Sequence, residues 1–246
     1  GYQLGQFRVD SHKTMVYDHD LRVPMIFHGP EIAHGAELPI VTSMADIAPT
    51  LIELAVGASA IPSLMDGSSF APQLTSSYAG NQTWKTTALV EYMSIRPSNT
   101  MESDLCTLLE SNPQSESERV WRDRQVHEYV SAYGFRAGPD GTPVCNDKPN
   151  THFHDGPNNT FAALRIIDDA AGEDLLYAEF VDGFNPLAWD FAPDQLNFFE
   201  LYNVSEDYYM ANNIYDSVPQ ELKDQLHQRL QATLKCQGDA CRQMLS

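Results

Sequence analysis

Apolar residues cluster towards the two ends of the chain and thin out in its middle, and the elements they predict differ accordingly. Val23 to Phe27 reads as a short strand, apolar and β-branched or aromatic except at Pro24, and Gly29-Pro30 ends it. Pro24 has no amide donor, which suits a strand's first residues or an edge. After the polar loop from Glu31 to Pro39, Ile40-Val-Thr42 leads into a helix starting near Ser43 or Asp46, with Pro49 in its first turn and Gly57 as its stop. Ile47, Leu51, Leu54 and Ala55 follow the spacing of one buried helical face.

Ala58 to Trp84 is rich in Ser, Pro, Gly and Thr, reads as a surface connection, and carries a domain boundary. Thr87 to Met93 makes a short strand interrupted by Glu91. Ser94 to Asn159 is polar and Pro-rich, with a helix-compatible stretch from Glu116 to Tyr133; a connection this long is a set of functional loops or a disordered one. Regularity returns with Phe161 to Ile167 and Leu175 to Val181, two strands joined by an Asp/Gly-rich turn that predict a hairpin. Phe198 to Tyr202 adds a strand, and Pro219 to Lys235 a helix with Leu222, Leu226, Leu230 and Leu234 at i+4 spacing. The fold class is therefore α/β: residues 1–84 end an α/β domain, and residues 85–246 form a small α+β subdomain, an antiparallel sheet with a C-terminal helix, with a polar insertion at about 94–159.

The chain has 246 residues, 42% of them hydrophobic, enough for a real core. No apolar run approaches the roughly 18 residues of a membrane span, and no basic-then-apolar leader stands at the start. Fifteen Lys and Arg against thirty-four Asp and Glu give a formal charge of −19. Such a field repels nucleic acid and anionic membranes, so neither is expected as a partner. Arg8, Lys13 and Arg22 nevertheless balance Asp10, Asp18 and Asp20, so the first stretch stays neutral within an acidic protein.

Cys236-Gln-Gly-Asp-Ala-Cys241 has too few other ligands for a metal site and reads as a short disulfide loop after a helix; Cys106 and Cys145 either pair or stay free. Sequons at Asn81, Asn158 and Asn203 fit passage through the secretory route. His152-Phe-His154-Asp155 places two histidines on one side of an extended segment, but no further ligands accompany them, so a pocket-lining loop is the better assignment than a metal site.

Several motifs together resemble the sulfatases, most of all the glucosamine-6-sulfatases and the extracellular heparan sulfate endosulfatases. They are Gly1-Tyr-x-Leu-Gly-Gln-Phe7, Lys13 four residues before Tyr17-Asp-x-Asp20, Arg22-Val-Pro24 with a strand ending in Gly29-Pro30, Asp46-Ile-Ala-Pro-Thr-Leu-Ile-Glu-Leu-Ala55, Met65-Asp-Gly-Ser68, Val90-Glu-Tyr92, Leu201-Tyr-Asn-Val204 and the Cys236 to Cys241 pair. The resemblance implies a C-terminal portion of a mixed-sheet catalytic domain, secreted or lysosomal, acting on a sulfated glycan together with an N-terminal half. It implies a formylglycine nucleophile made from a Cys/Ser-x-Pro-x-Arg motif, which this sequence does not contain, and calcium held by ligands upstream of Gly1.

By the same resemblance, Lys13 is the catalytic cation of this portion, although by spacing alone a lone lysine is a solvated surface charge. An ammonium at the bridging oxygen of a sulfate ester would stabilise charge that develops as the bond breaks. Gln3, Arg8, Glu91, His152 and His154 are the expected substrate contacts. Gln3 departs from the family's usual histidine and cannot carry a proton at neutral pH. A non-catalytic relative that binds sulfated glycans, and a phosphoryl-transfer member of the same superfamily, are the alternatives.

Overall fold

A computed structural model describes residues 4, 13–75, 84–93, 159–181, 191 and 193–245. The chain divides into two compact units: Gly1–Tyr92, Phe161–Val181 and Asp190–Ser246 form one, and Met93–Thr160 with Asp182–Trp189 the other. The second contributes few described residues, so the architecture that follows is that of the first.

Its main elements are α1 (Asp18–Leu21), α2 (Ile47–Val56) after a 3-10 turn at Met44–Asp46, α3 (Ala71–Leu74), β1 (Thr87–Tyr92), β2 (Thr160–Asp168), β3 (Glu173–Val181), β4 (Leu196–Asn203), α4 (Gln220–Lys235) and α5 (Asp239–Met244). The strands lie in the order β1-β2-β3-β4. β1 runs antiparallel to β2, with Ala88 opposite Arg165, and β3 antiparallel to β4, with Ala178 opposite Glu200. The expected hairpin is β2–β3: Asp168 Oδ1 accepts from the amides of Ala170 and Ala171, and Gly172 takes a positive φ of 70°.

Alternation gives each strand two faces. On one, Phe161, Ala163, Leu176, Ala178, Phe180 and Tyr202 pack with Val16, and Tyr17 and Leu21 lie against them. The other carries Thr87, Tyr177 and Glu179 and meets α4. With both sides covered, β2 is buried from Phe161 through Ile166. Burying Phe161, Leu164 and Ile166 wholly out of water is worth about 1.5–3 kcal/mol each.

Under α4 the buried carboxylate of Glu179 is satisfied by Tyr177 Oη and His227 Nδ1, both at 2.6 Å, while Gln231 Nε2 donates to the carbonyl of Phe191 at 2.7 Å. The leucine spacing foresaw this helix, and Leu226 and Leu230 are its buried residues of that set. Cys236 and Cys241 are bonded, as expected. Gly238 in their loop packs where a Cβ would sit 2.2 Å from the carbonyl oxygen of Ser63, and its amide donates to Asp66 Oδ1 at 2.6 Å. No larger residue fits there.

Two expectations fail. Val23 to Phe27 forms no strand, and Ile26 is 89% exposed. Pro24 removes a donor, and the local apolar run finds no neighbouring strand among the described residues. α2 begins and ends as foreseen, with Ser43 and Asp46 forming a reciprocal capping box and Gly57 closing it, but the predicted apolar face is not covered: Leu51 is 52% and Leu54 42% exposed. What α2 buries instead is Pro49 and Thr50.

That reversal follows from a polar clip. Asp46, fully buried, accepts from the Ser43 amide at 2.7 Å and the Ser68 amide at 2.8 Å, and pairs with buried Lys85 at 2.5 Å. Thr50 Oγ1 accepts the Phe70 amide at 3.0 Å. Phe70 in turn is 2% exposed between Phe27 and Trp84, so the stretch after Ala58 is part of the packing and more than a surface connection.

Candidate functional site

Lys13 opens a segment that runs onto the first sheet face. It is half-buried. Thr14 beside it holds a φ of 138°, and a β-branched residue with positive φ costs on the order of 1–3 kcal/mol, sustained only where the surroundings over-determine it. Those surroundings are visible. The Met15 amide donates to Asp20 Oδ2 at 2.9 Å, Val16 is 2% exposed in the sheet core, and the short turn α1 closes on Tyr17 through the amides of Asp20 and Leu21.

Two side-chain links tie α1 to the strands. Arg165 of β2 donates from Nε to Asp18 Oδ1 at 2.9 Å, pairs through Nη2 with Asp174 at 2.6 Å, and spends Nη1 on the carbonyls of Ile166 and Leu175. A guanidinium suits this position because its rigid fork serves several acceptors at once. The second link is aromatic. Tyr17 meets Tyr202 of β4 edge-on with centroids 6.1 Å apart and stacks on the His19 ring at 5.5 Å.

Beneath that pair lies Glu200, 9% exposed, hydrogen-bonded to the Tyr202 hydroxyl and with no partner for Oε2 among the described residues. Burial pushes its carboxyl up to about 7, the Tyr202 hydrogen bond opposing. The phenols respond in kind: burial first, then the nearby Glu200 charge, raises both Tyr17 and Tyr202 above the usual tyrosine range.

Glu91 is exposed on β1, opposite Ala162, and by alternation belongs to the α4 side of the sheet, whereas the segment after Lys13 covers the other side. The structure does not bring it to Lys13. Asn203 ends β4 half-buried and accepts from Ser205 Oγ at 2.8 Å. Gln3, Arg8, His152, His154, Asn81 and Asn158 lie outside the described residues. Among the described residues no three His, Cys, Asp or Glu side chains gather to hold a metal ion. Calcium ligands are therefore not assigned within them.

Sequence reasoning named Asp18 and Tyr202 only within motifs and gave no site role to them, to Arg165 or to Glu200. A signal existed for two of them: Phe198, Glu200 and Tyr202 share one face at period two, so a carboxylate stood in an otherwise aromatic stripe. Arg165, alone in an apolar strand, was the other hint.

No family model matches the sequence. Curated relatives do. The chain is 28% identical to N-acetylglucosamine-6-sulfatase of Bos taurus over 98% of its length and 34% of the relative's, and 26% identical to an arylsulfatase of Volvox carteri over 98% of its own length and 29% of the other's. A solved structure from a study of glycosaminoglycan metabolism in Bacteroides thetaiotaomicron is 18% identical, with a TM-score of 0.35, covering 74% of this chain and 24% of that one; a likeness this low carries no argument. The chain spans about a third of the length of the N-acetylglucosamine-6-sulfatases it matches. It is similar along nearly its whole length to sulfatases.

Proposed function

We propose that the chain serves a sulfatase that hydrolyses sulfate esters of a glycosaminoglycan or related sulfated glycan, with the 6-O-sulfate of N-acetylglucosamine as the bond broken. The observation that carries this is the similarity to N-acetylglucosamine-6-sulfatases over 98% of the chain. In this assignment the nucleophile and the calcium ligands stand in an N-terminal half, and calcium, when bound there, neutralises sulfate oxygens.

The portion described here supplies Lys13. Its ammonium donates to the oxygen that bridges sulfur and sugar, where negative charge builds as the bond breaks, and it stabilises that charge more in the transition state than in the ground state. Lysine suits this task as a compact point charge on a flexible stem. The strained backbone at Thr14 and the anchoring of Val16, Tyr17 and Asp18 support a segment fixed for a purpose beyond packing. Gln3, Arg8, His152 and His154 are assigned to the sugar and its sulfate, and Glu91 to a more distant part of the glycan. Secretion or delivery to the lysosome, with glycans at Asn81, Asn158 and Asn203, completes the proposal.

The test is release of inorganic sulfate by the full-length protein from a glucosamine-6-sulfate-terminated oligosaccharide, with the N-sulfated and 3-O-sulfated isomers alongside. Selective release from the 6-O-sulfate is expected. Binding of the oligosaccharide with no sulfate released would replace catalysis by a non-catalytic glycan-binding role, and turnover of a phosphate ester alone would move the protein to phosphoryl transfer.

A further inference from the structure

We propose that Glu200 is a positioning residue whose protonated form lets Tyr17 and Tyr202 seat the Lys13–Arg22 segment on the sheet, and whose ionised form loosens it. The geometry is that of a buried carboxyl hydrogen-bonded to the Tyr202 hydroxyl, which is itself hydrogen-bonded to that of Tyr17, with nothing among the described residues for the other carboxyl oxygen. Glu200 is 9% exposed, Tyr202 4%, and Oε2 has no partner among the described residues. Protonated, such a carboxyl leaves no charge in the core; ionised, it is a buried anion held by one hydroxyl.

Among the described residues no cation pairs with it. Across the strand pair stands Ala178, flanked on the same face by Leu176 and Phe180. Asp174, further along β3, is engaged by Arg165, which also holds Asp18. From α1 come Tyr17, its stacking partner His19, and Asp20, 5% exposed, whose negative charge, like that of Glu200, pushes the Tyr17 phenol up. A second anion there would set two carboxylates around one phenol. The tilt of the carboxyl towards neutrality, caused by burial, agrees with this arrangement.

Loosening matters because Tyr17 and Val16 connect directly to Thr14 and Lys13, and the positive φ at Thr14 persists only while its neighbours are held. The effect on catalysis rests on the sulfatase assignment above; the latch itself does not.

Hydrogen exchange read by peptide mass in the full-length protein separates the two, since protection of a peptide over 13–22 reports local opening without any substrate. After correction for intrinsic rates, protection of this peptide in the native protein is expected to fall about tenfold or more between pH 6 and 8. In Glu200→Gln, which mimics the protonated carboxyl, it is expected to stay high and flat. In Tyr202→Phe, which removes the hydrogen bond that favours the ionised form, the transition is expected at higher pH. A peptide from β3 serves as the control for global unfolding. Equal pH profiles in native and Glu200→Gln proteins, or a flat native profile, would overturn the latch. Should Glu200→Gln lose protection in β3, Tyr202→Phe decides: an upward shift upholds the proposal and an unmoved midpoint rejects it. A latch seen in a protein that releases no sulfate would sink the catalytic assignment and leave this one standing.

Discussion

Replacing Leu51 and Leu54 together by serine should have opposite consequences in the isolated 246-residue chain and in a full-length protein that supplies the N-terminal half proposed above. Both lie on one side of α2, and their exposures are 52% and 42%. Left in water as they are here, two leucines contribute little, and polar substitution at such sites changes stability by within about 0.5 kcal/mol each. Packed against an upstream sheet, the same truncations would cost about 2–5 kcal/mol each.

The isolated native chain is accordingly expected to aggregate or bind a hydrophobic dye, and the double variant to do so less. In the full-length protein the double variant should lose thermal stability or fail to accumulate. The assay pairs dye fluorescence and sedimentation of the chain with thermal inactivation of the whole. A soluble, cooperatively melting monomer that ignores the dye, or a full-length double variant as stable as its parent, would refute the idea that this face is completed from outside the chain.

The remaining expectations concern the interior. Lys85→Met should cost about 3–5 kcal/mol in denaturant unfolding, because it strands the fully buried Asp46 carboxylate; adding Asp46→Asn should recover part of that, and no recovery would contradict an ion pair as the cause. Glu200 takes its proton near 4.5 when unfolded and near 7 when folded, so the folded state holds the proton across that window. Its contribution to stability is therefore full below pH 4.5 and falls by about 3 kcal/mol as pH rises through 7, and melts of Glu200→Gln should lack that slope. Loss of the Cys236–Cys241 bond should cost at most about 2 kcal/mol, since the ring is short, and free thiols at both positions in a non-reducing peptide map would contradict it.

What the sequence made legible was local. The β2–β3 hairpin followed from two apolar runs and an Asp/Gly turn, and α4 from a leucine every fourth residue, because these patterns are satisfied within a few residues of themselves. Val23 to Phe27 had the same local credentials but needed a neighbour to become a strand, and periodicity says nothing about whether one is present. α2 is instructive in the same way: its caps at Ser43 and Gly57 are short-range and were read correctly, while its apolar face depends on what lies opposite. The setting of Lys13 was the least legible. Asp18 and Arg165 stand 147 residues apart, and no rule of spacing pairs them; only the fold brings β2 beneath α1.

The central claim, that Lys13 acts on the departing oxygen, is tested most directly by comparing two substrates with Lys13→Ala in the full-length protein. A sugar sulfate leaves as a poorly stabilised alkoxide and needs the ammonium, so its kcat should fall about a hundredfold or more. An activated aryl sulfate carries its own charge away and should suffer far less, while Lys13→Arg should not restore the sugar sulfate fully. Equal losses on both substrates would put Lys13 on the non-bridging sulfate oxygens instead, and no loss on either would make it a surface lysine and end the assignment.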